Sequence, residues 1–273
     1  VGLFPDYASA YDAWKGAAEQ PQARYWMLLA VAVVGPVAWT VAAATAVADW
    51  RTDLSFALWV SVSASMAVFA AAAVFDRDVA RLSPLFLALM TVLAVLAMLS
   101  HGATNASPMT MAPGDGGWLW FHIGVSIATY ALLTVAAAAS LAALLQERAL
   151  KRKTPLKRPQ GLPSVLDCEG VVLRFLWLSA AVLALGMATG TAINLTHDVS
   201  ILHLDHKTVF ALAAFAVICA LLYAHQKTGA RGRQVARLVL LAYLFVTLAY
   251  PGVKFVPFLP NKWARKMGYP TCL

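Results

Sequence analysis

The chain has 273 residues, of which 61% are hydrophobic and only 12% are charged, whereas soluble domains carry about 25% charged residues. The formal net charge of +8 does not indicate nucleic-acid binding, because Lys and Arg lie mostly in short segments between long apolar runs. Composition therefore excludes a water-soluble fold. The Ala-, Leu- and Val-rich runs predict an all-α, polytopic transmembrane helix bundle with the lipid bilayer as its solvent.

Residues 1–24 are mixed in polarity, and we expect them to form an amphipathic surface helix or a disordered tail. The transmembrane bundle is predicted over 25–256, followed by a C-terminal tail over 257–273. The bundle contains about seven spans, with room for an eighth, and the fourth is longer than the roughly 20 residues that a bilayer requires. The predicted spans are 25–48, 54–75, 82–100, 118–146, 170–195, 207–226 and 234–252.

Loop charges indicate the orientation of the spans. Lys and Arg cluster in the segments 77–81, 148–158 and 227–237, whereas segments 101–117 and 196–206 contain neither. Positively charged loops are usually cytoplasmic. We therefore expect the three basic segments and the N-terminus on the cytoplasmic side, with the two segments that lack Lys and Arg outside.

The histidines are informative because polar residues kept near membrane spans are usually functional. His122 opens the fourth span, and Ser126 and Tyr130 follow at i+4 and i+8, near the same helical face. An imidazole at this position can ligate a metal through one nitrogen while a neighbour holds the other. The alternative is an interfacial histidine that hydrogen-bonds Ser or Tyr on a neighbouring helix.

A second histidine group lies just before the sixth span, in the stretch THDVSILHLDHKTVF. His197, His203 and His206, together with a neighbouring carboxylate, fit a surface zinc or copper site. A second interpretation places His206, or His203 three residues earlier, opposite His122 as the other axial ligand of a haem. A third interpretation is a solvated loop without a ligand role.

Other features indicate packing rather than chemistry. The cysteines form no CxxC motif, so thiol-redox chemistry is not predicted; they are Cys168, Cys219 and Cys272. Gly186 and Gly190 form a small-xxx-small step that allows another helix to approach closely. Few intramembrane charges accompany Arg174, which argues against a transporter. The sequence supplies no nucleophile and no acid–base pair, so an enzyme is not predicted.

Several short motifs, taken in their order along the chain, resemble the cytochrome c assembly protein family. The resemblance covers roughly residues 54–256, and the shorter HemX-like inner-membrane branch is the closest in length. The motifs are His122-x3-Ser126-x3-Tyr130, Gln146-Glu147-Arg148, Leu162-Pro163-Ser164 with Cys168-Glu169, Asp205-His206-Lys207-Thr208, and His225 followed by Gly229-Ala230-Arg231-Gly232-Arg233.

The resemblance implies a helix bundle in the bacterial inner membrane that handles haem at its outer face and passes it toward apocytochrome c. His122 matches the family's first outer histidine, while Asp205 and Lys207 match the Asp-Pro-Lys that closes the family's tryptophan-rich loop. In this chain His206 stands in place of the proline, and the stretch GTAINLTHDVSILHLDHK contains no tryptophan. No histidine follows His225, where the family's second outer histidine is expected.

We therefore predict a haem b-binding protein with His122 and either His206 or His203 as axial ligands, and with Ser126 and Tyr130 in the same site. Its role would be haem trafficking or cytochrome c maturation, with a c-type cytochrome as partner, or that of a haem-bearing subunit in a larger membrane complex. Two alternatives stay open. One is an electron-transfer subunit of a respiratory or photosynthetic complex, and the other is a structural or assembly subunit without a cofactor.

Overall fold

The structure, a computed structural model, describes residues 7–45, 54–100, 116–151, 163–196, 206–228 and 232–249. Side chains are described within these ranges except at 7–22, 116, 150, 193–196, 206, 207, 228 and 249. The ranges contain eight helices and no strand, so the all-α prediction is confirmed. The helices are α1 (Tyr7–Thr45), α2 (Leu54–Phe75), α3 (Arg77–Arg81), α4 (Ser83–Leu99), α5 (Gly116–Lys151), α6 (Val165–Thr196), α7 (His206–Thr228) and α8 (Arg233–Ala249).

Each of the seven predicted spans overlaps one of the helices other than α3. Among the described residues, five helices are long and apolar enough to cross a membrane, and they are α1, α2, α5, α6 and α7. Helices α4 and α8 each have 17 residues, and at 1.5 Å per residue such a helix is about 25 Å long. That length approaches the roughly 30 Å of the hydrocarbon core. The chain is therefore a multi-pass helical membrane protein.

Helix α5 lies at the centre of the bundle and packs against α2, α4, α6 and α8. In its most apolar stretch 72% of the residues are buried, compared with 6% in α1, which packs on α2 at the periphery. Ala136, Ala139 and Ala142 are fully buried on α5, and such small side chains let neighbouring backbones approach closely. Helices α6 and α8 each also pack against α7, so that α5 to α8 form one continuous half of the bundle.

Polar and aromatic pairs join the helices of the other half. The rings of Phe69 on α2 and Phe86 on α4 are fully buried and stack with centroids 4.1 Å apart. The hydroxyls of Tyr25 on α1 and Ser83 on α4 lie 2.7 Å apart. Because lipid offers no hydrogen-bond partner, such interhelical contacts satisfy groups that would otherwise be unpaired.

Local sequence signals explain where several helices begin. Asp76 caps α3 by accepting a hydrogen bond from the backbone N–H of Asp78. Helix α4 has a proline, Pro84, in its first turn, where the missing N–H costs nothing. Ser164 and Asp167 form a reciprocal capping box at the start of α6.

The long helices alternate in direction, so the bundle has two chemically different ends. At one end, here called the basic end, Asp76 contacts Arg174 and Glu147 contacts Arg233. These contacts join the end of α2 to the first part of α6, and the end of α5 to the start of α8. The opposite end, here called the His122 end, contains the starts of α5 and α7 and the end of α6. Which end faces the cytoplasm stays a prediction.

Helix α1 begins at Tyr7 and continues without a break to Thr45. It therefore runs through most of the predicted N-terminal segment 1–24 into the first span. The division between that segment and the bundle stays a prediction. The predicted tail 257–273 lies outside the described residues.

Candidate functional site

The start of α5 places an imidazole between two helices at the His122 end. Trp118 and Trp120 are exposed by about half and precede His122 on the same helix, as is typical of aromatic residues at a membrane interface. His122 itself is half-buried. It lies against α6, which is the helix that α5 packs against most extensively.

A hydrogen bond to α6 holds the His122 ring. Its Nδ1 lies 2.9 Å from the hydroxyl oxygen of Thr189. That hydroxyl in turn donates a hydrogen bond of 3.0 Å to the carbonyl oxygen of Gly186. A threonine hydroxyl has one proton, and donating it to Gly186 leaves its oxygen as an acceptor for Nδ1–H. The neutral imidazole then carries its proton on Nδ1 and a free lone pair on Nε2.

Two glycines on α6 make this approach possible. A Cβ atom at position 190 would lie 3.1 Å from Cε1 of His122, which is closer than ordinary van der Waals contact. A Cβ atom at position 186 would lie 3.3 Å from Cγ1 of Val125, one turn further along α5. The small-xxx-small step formed by Gly186 and Gly190 therefore packs against α5, and Gly190 faces the imidazole directly.

The other two residues predicted for this site have different partners. Ser126 donates a hydrogen bond of 2.9 Å to the carbonyl oxygen of His122 within α5. Tyr130 is 1% exposed, and its hydroxyl lies 3.0 Å from that of Tyr243 on α8. Tyr130 is two helical turns from His122, or about 12 Å along the axis. These contacts tie Ser126 to its own helix and Tyr130 to α8.

The second histidine group lies largely outside the described residues. His206 is the first residue of α7, so its backbone lies at the His122 end, but its side chain is not among those described. His197 and His203 fall wholly outside the described ranges. Within those ranges no three His, Cys, Asp or Glu residues form a group that could hold a metal ion. The zinc or copper site and the second haem ligand therefore stay predictions.

At the basic end, a network of charged residues joins helices that are distant in sequence. Nη1 of Arg174 on α6 lies 2.5 Å from a carboxylate oxygen of Asp76, between α2 and α3. The backbone N–H of Gly232, before α8, donates a hydrogen bond of 2.6 Å to the carboxylate of Glu169 on α6. Arg174, which the sequence marked only as a rare charge in a span, is thus part of an interhelical ion pair.

Several motif residues meet in this network. The Gln146 side chain donates to the carbonyl oxygen of Pro163 at 3.2 Å. Glu147 pairs with Lys151 at 2.8 Å and with Arg233 at 3.7 Å. These contacts join three short motifs, one at the end of α5, one before α6 and one before α8. Spacing along the sequence alone could not show that these pieces pack together.

Comparisons with known proteins identify relatives of the chain. The chain is 47% identical over 258 residues to a protein of Azospirillum brasilense described as an uncharacterized 28.8 kDa protein in the nifR3-like 5′ region, covering 94% of this chain and 93% of that one. It is 30% identical over 135 residues to inner membrane protein YpjD of Escherichia coli K12, covering 50% of each chain. No solved structure matches the chain.

A comparison with protein families covers most of the chain. The sequence model of the family described as Cytochrome C assembly protein matches residues 32–259. This range includes His122, the basic-end network and the helices that position both. The resemblance inferred from the short motifs is confirmed, and the match begins earlier, within α1. The chain belongs to the cytochrome c assembly protein family.

Proposed function

We propose that this protein binds haem b at the His122 end of the bundle, with His122 as one axial ligand, and acts in haem trafficking or cytochrome c maturation. The observation that carries the proposal is the hydrogen bond between Nδ1 of His122 and Thr189. If Nδ1–H donates to the Thr189 oxygen, Nε2 keeps the lone pair that could ligate iron.

The surroundings of His122 fit an axial ligand. Metal-ligating histidines almost always use their second nitrogen to donate to a fixed acceptor, which sets the ring orientation. Thr189 supplies that acceptor, and Gly190 leaves room for the ring on α6. A bound haem would supply an iron centre whose reduction potential is set by its axial ligands and surroundings.

We infer that the second ligand comes from the start of α7. Helix α7 begins at His206 at the same end of the bundle as His122. Helix α6 packs against both α5 and α7, so these two helices flank the same neighbour. His206 is the preferred ligand and His203 is the alternative.

A structural role without a cofactor is the second candidate, and one observation favours it. The His122–Thr189 hydrogen bond and the close contact with Gly190 are also what a polar helix–helix contact requires in a membrane. In that case His122 would stabilise the packing of α5 on α6, and its replacement would lower stability without changing any spectrum.

Replacing single histidines tests the ligand assignment. The variants His122→Ala, His206→Ala and His203→Ala are purified in detergent from haem-replete cells, and haem is quantified chemically. His225→Ala is the matched control because His225 lies at the other end of α7, near the basic end. We expect haem loss in His122→Ala and His206→Ala only. Retention of the wild-type spectrum in the double variant His122→Ala/His206→Ala would exclude both ligands.

We also propose that the protein resides in the bacterial inner membrane with its basic end in the cytoplasm. The relative YpjD is named an inner membrane protein, and clustered Lys and Arg favour the cytoplasmic side. Single cysteines introduced into Cys-free protein at Arg148 and Trp118 test this orientation with an impermeant thiol reagent. Labelling of intact spheroplasts is expected only at position 118, and labelling only at position 148 would reverse the assignment.

A further inference from the structure

We propose that Arg174, at the lipid-facing side of the basic end, binds the phosphate of an anionic phospholipid. This site is separate from His122 and does not depend on haem binding. Its elements are an exposed guanidinium at the depth of the lipid headgroups, exposed apolar side chains on the helices that it joins, and the net positive charge of the basic end.

The depth of Arg174 in the membrane follows from the position of its partner, Asp76. Its partner Asp76 directly follows the last residue of α2 and caps α3, and α4 begins a few residues later. The chain therefore turns back into the membrane at this level. Helix α6 begins nine residues before Arg174, and so extends about 13 Å beyond this turn. Arg174 thus lies where the membrane interface crosses the bundle.

The surface around this cation faces lipid. The side chain of Arg174 is 61% exposed. Phe75, at the end of α2, is 89% exposed, and Trp177, one turn from Arg174 toward the membrane centre, is 53% exposed. A lipid molecule matches this arrangement, because its phosphate can reach the guanidinium while its acyl chains contact the two aromatic side chains.

Arg174 retains donors after its protein contacts are made. Its Nε donates to the carbonyl oxygen of Gly170 at 3.3 Å, and its Nη1 donates to Asp76. A guanidinium has five N–H groups, and those on Nη2 have no acceptor among the described residues. Asp76 also accepts a hydrogen bond from the backbone N–H of Asp78. Because this bond fixes its carboxylate, Asp76 holds the guanidinium in place. The fixed fork of an arginine suits phosphate oxygens.

The net charge of the basic end favours an anionic lipid over a zwitterionic one. Around Arg174, the cations Arg77 and Arg81 lie on α3, while the carboxylates are Asp76 and Asp78 beside and on α3 and Asp167 and Glu169 on α6. Over the whole basic end, however, the described side chains include nine Lys and Arg against these four carboxylates and Glu147; the other six cations are Arg24, Arg148, Lys151, Lys227, Arg233 and Arg237. Among the nine, Arg81 pairs only loosely with Asp78, at 3.5 Å, and is 57% exposed.

Native mass spectrometry of the full-length protein tests the proposal. Delipidated protein in detergent is mixed with equal amounts of phosphatidylglycerol and phosphatidylcholine, and the lipid retained is identified. We expect the wild type to retain phosphatidylglycerol preferentially. Arg174→Gln should reduce that preference by more than about fivefold, which is the factor that a cation contributes at a membrane surface without binding a phosphate directly.

Two further variants keep the result interpretable. Arg237→Gln removes another exposed cation of the basic end, on α8, and should reduce the preference by no more than that general factor. Asp76→Asn/Arg174→Gln avoids an unpaired carboxylate and should lose the preference while retaining the helical circular dichroism spectrum. An unchanged preference in Arg174→Gln, or an equal loss in Arg237→Gln, would overturn a specific site at Arg174.

Discussion

The imidazole of His122 on α5 is hydrogen-bonded through Nδ1 to the hydroxyl oxygen of Thr189 on α6, at 2.9 Å. The two residues are 67 positions apart in the sequence. The bond orients the ring and determines which of its nitrogens can act as a ligand. In the proposed function Thr189 is therefore a positioning residue for His122.

Removing the acceptor should weaken the haem site without abolishing it. Thr189→Val keeps the side-chain shape and loses the hydroxyl, and replacing such partners of a metal ligand typically lowers affinity by about 10–100-fold. The reduction midpoint should also rise, because an imidazole that no longer donates through Nδ1 is less basic. Haem titration and potentiometry measure both effects. Thr189→Ser, which keeps the hydroxyl, should behave as the wild type.

A side chain at position 190 should displace the imidazole. In Gly190→Ala the new Cβ would lie 3.1 Å from Cε1 of His122, so the ring must move and haem binding should weaken. Gly124→Ala is the matched control, because a Cβ at that helical position meets nothing within 4 Å. Haem occupancy after purification compares the two. Equal occupancy in both variants would show that Gly190 does not determine the position of the ring.

Tyr130 should contribute to helix packing and not to haem binding. Its buried hydroxyl contacts Tyr243 on α8, so Tyr130→Phe should lower the free energy of unfolding by about 1 kcal/mol, the typical contribution of one hydrogen bond. Thermal unfolding in detergent measures this change. The haem spectrum should be unaffected. A shifted spectrum would show that Tyr130 belongs to the haem site, as the sequence predicted.

Glu169 should stabilise the junction between α7 and α8. Its carboxylate accepts the backbone N–H of Gly232 at 2.6 Å, and Gly232 has a φ of +76°, a conformation that favours glycine. Glu169→Ala leaves this donor without its acceptor and should destabilise the protein by about 1–3 kcal/mol. Glu169→Gln retains an acceptor oxygen and should cost less. Limited proteolysis near residue 230 reports opening of the junction, and equal cleavage in both variants would contradict this role.

The fold was predictable because the bilayer imposes a strong constraint on sequence. Apolar stretches of span length identified the long helices, and the charge distribution identified which helix ends lie together. The close approach at Gly186 and Gly190 was also visible, since small residues four apart share a helix face. The short helix α3 was missed because Arg77–Arg81 is only five residues long.

The details of the site were less accessible because they depend on contacts between distant segments. Thr189 directly precedes Gly190 in a predicted span. Its polar side chain is the only local signal that it could form a hydrogen bond with His122. Periodicity placed Ser126 and Tyr130 on one face with His122, but it could not show that the Tyr130 hydroxyl contacts α8. The pairing of Arg174 with Asp76 joins residues 98 positions apart, which no spacing rule predicts.

The most direct test of haem binding is a reduced-minus-oxidised optical spectrum of the detergent-purified wild-type protein from haem-replete cells. The proposed function predicts a haem b spectrum with stoichiometric haem, and its loss in His122→Ala protein that retains the helical circular dichroism spectrum. A folded wild-type protein that contains no haem, and takes none up when haem is added, would contradict it. The His122–Thr189 contact would then be a structural link between α5 and α6.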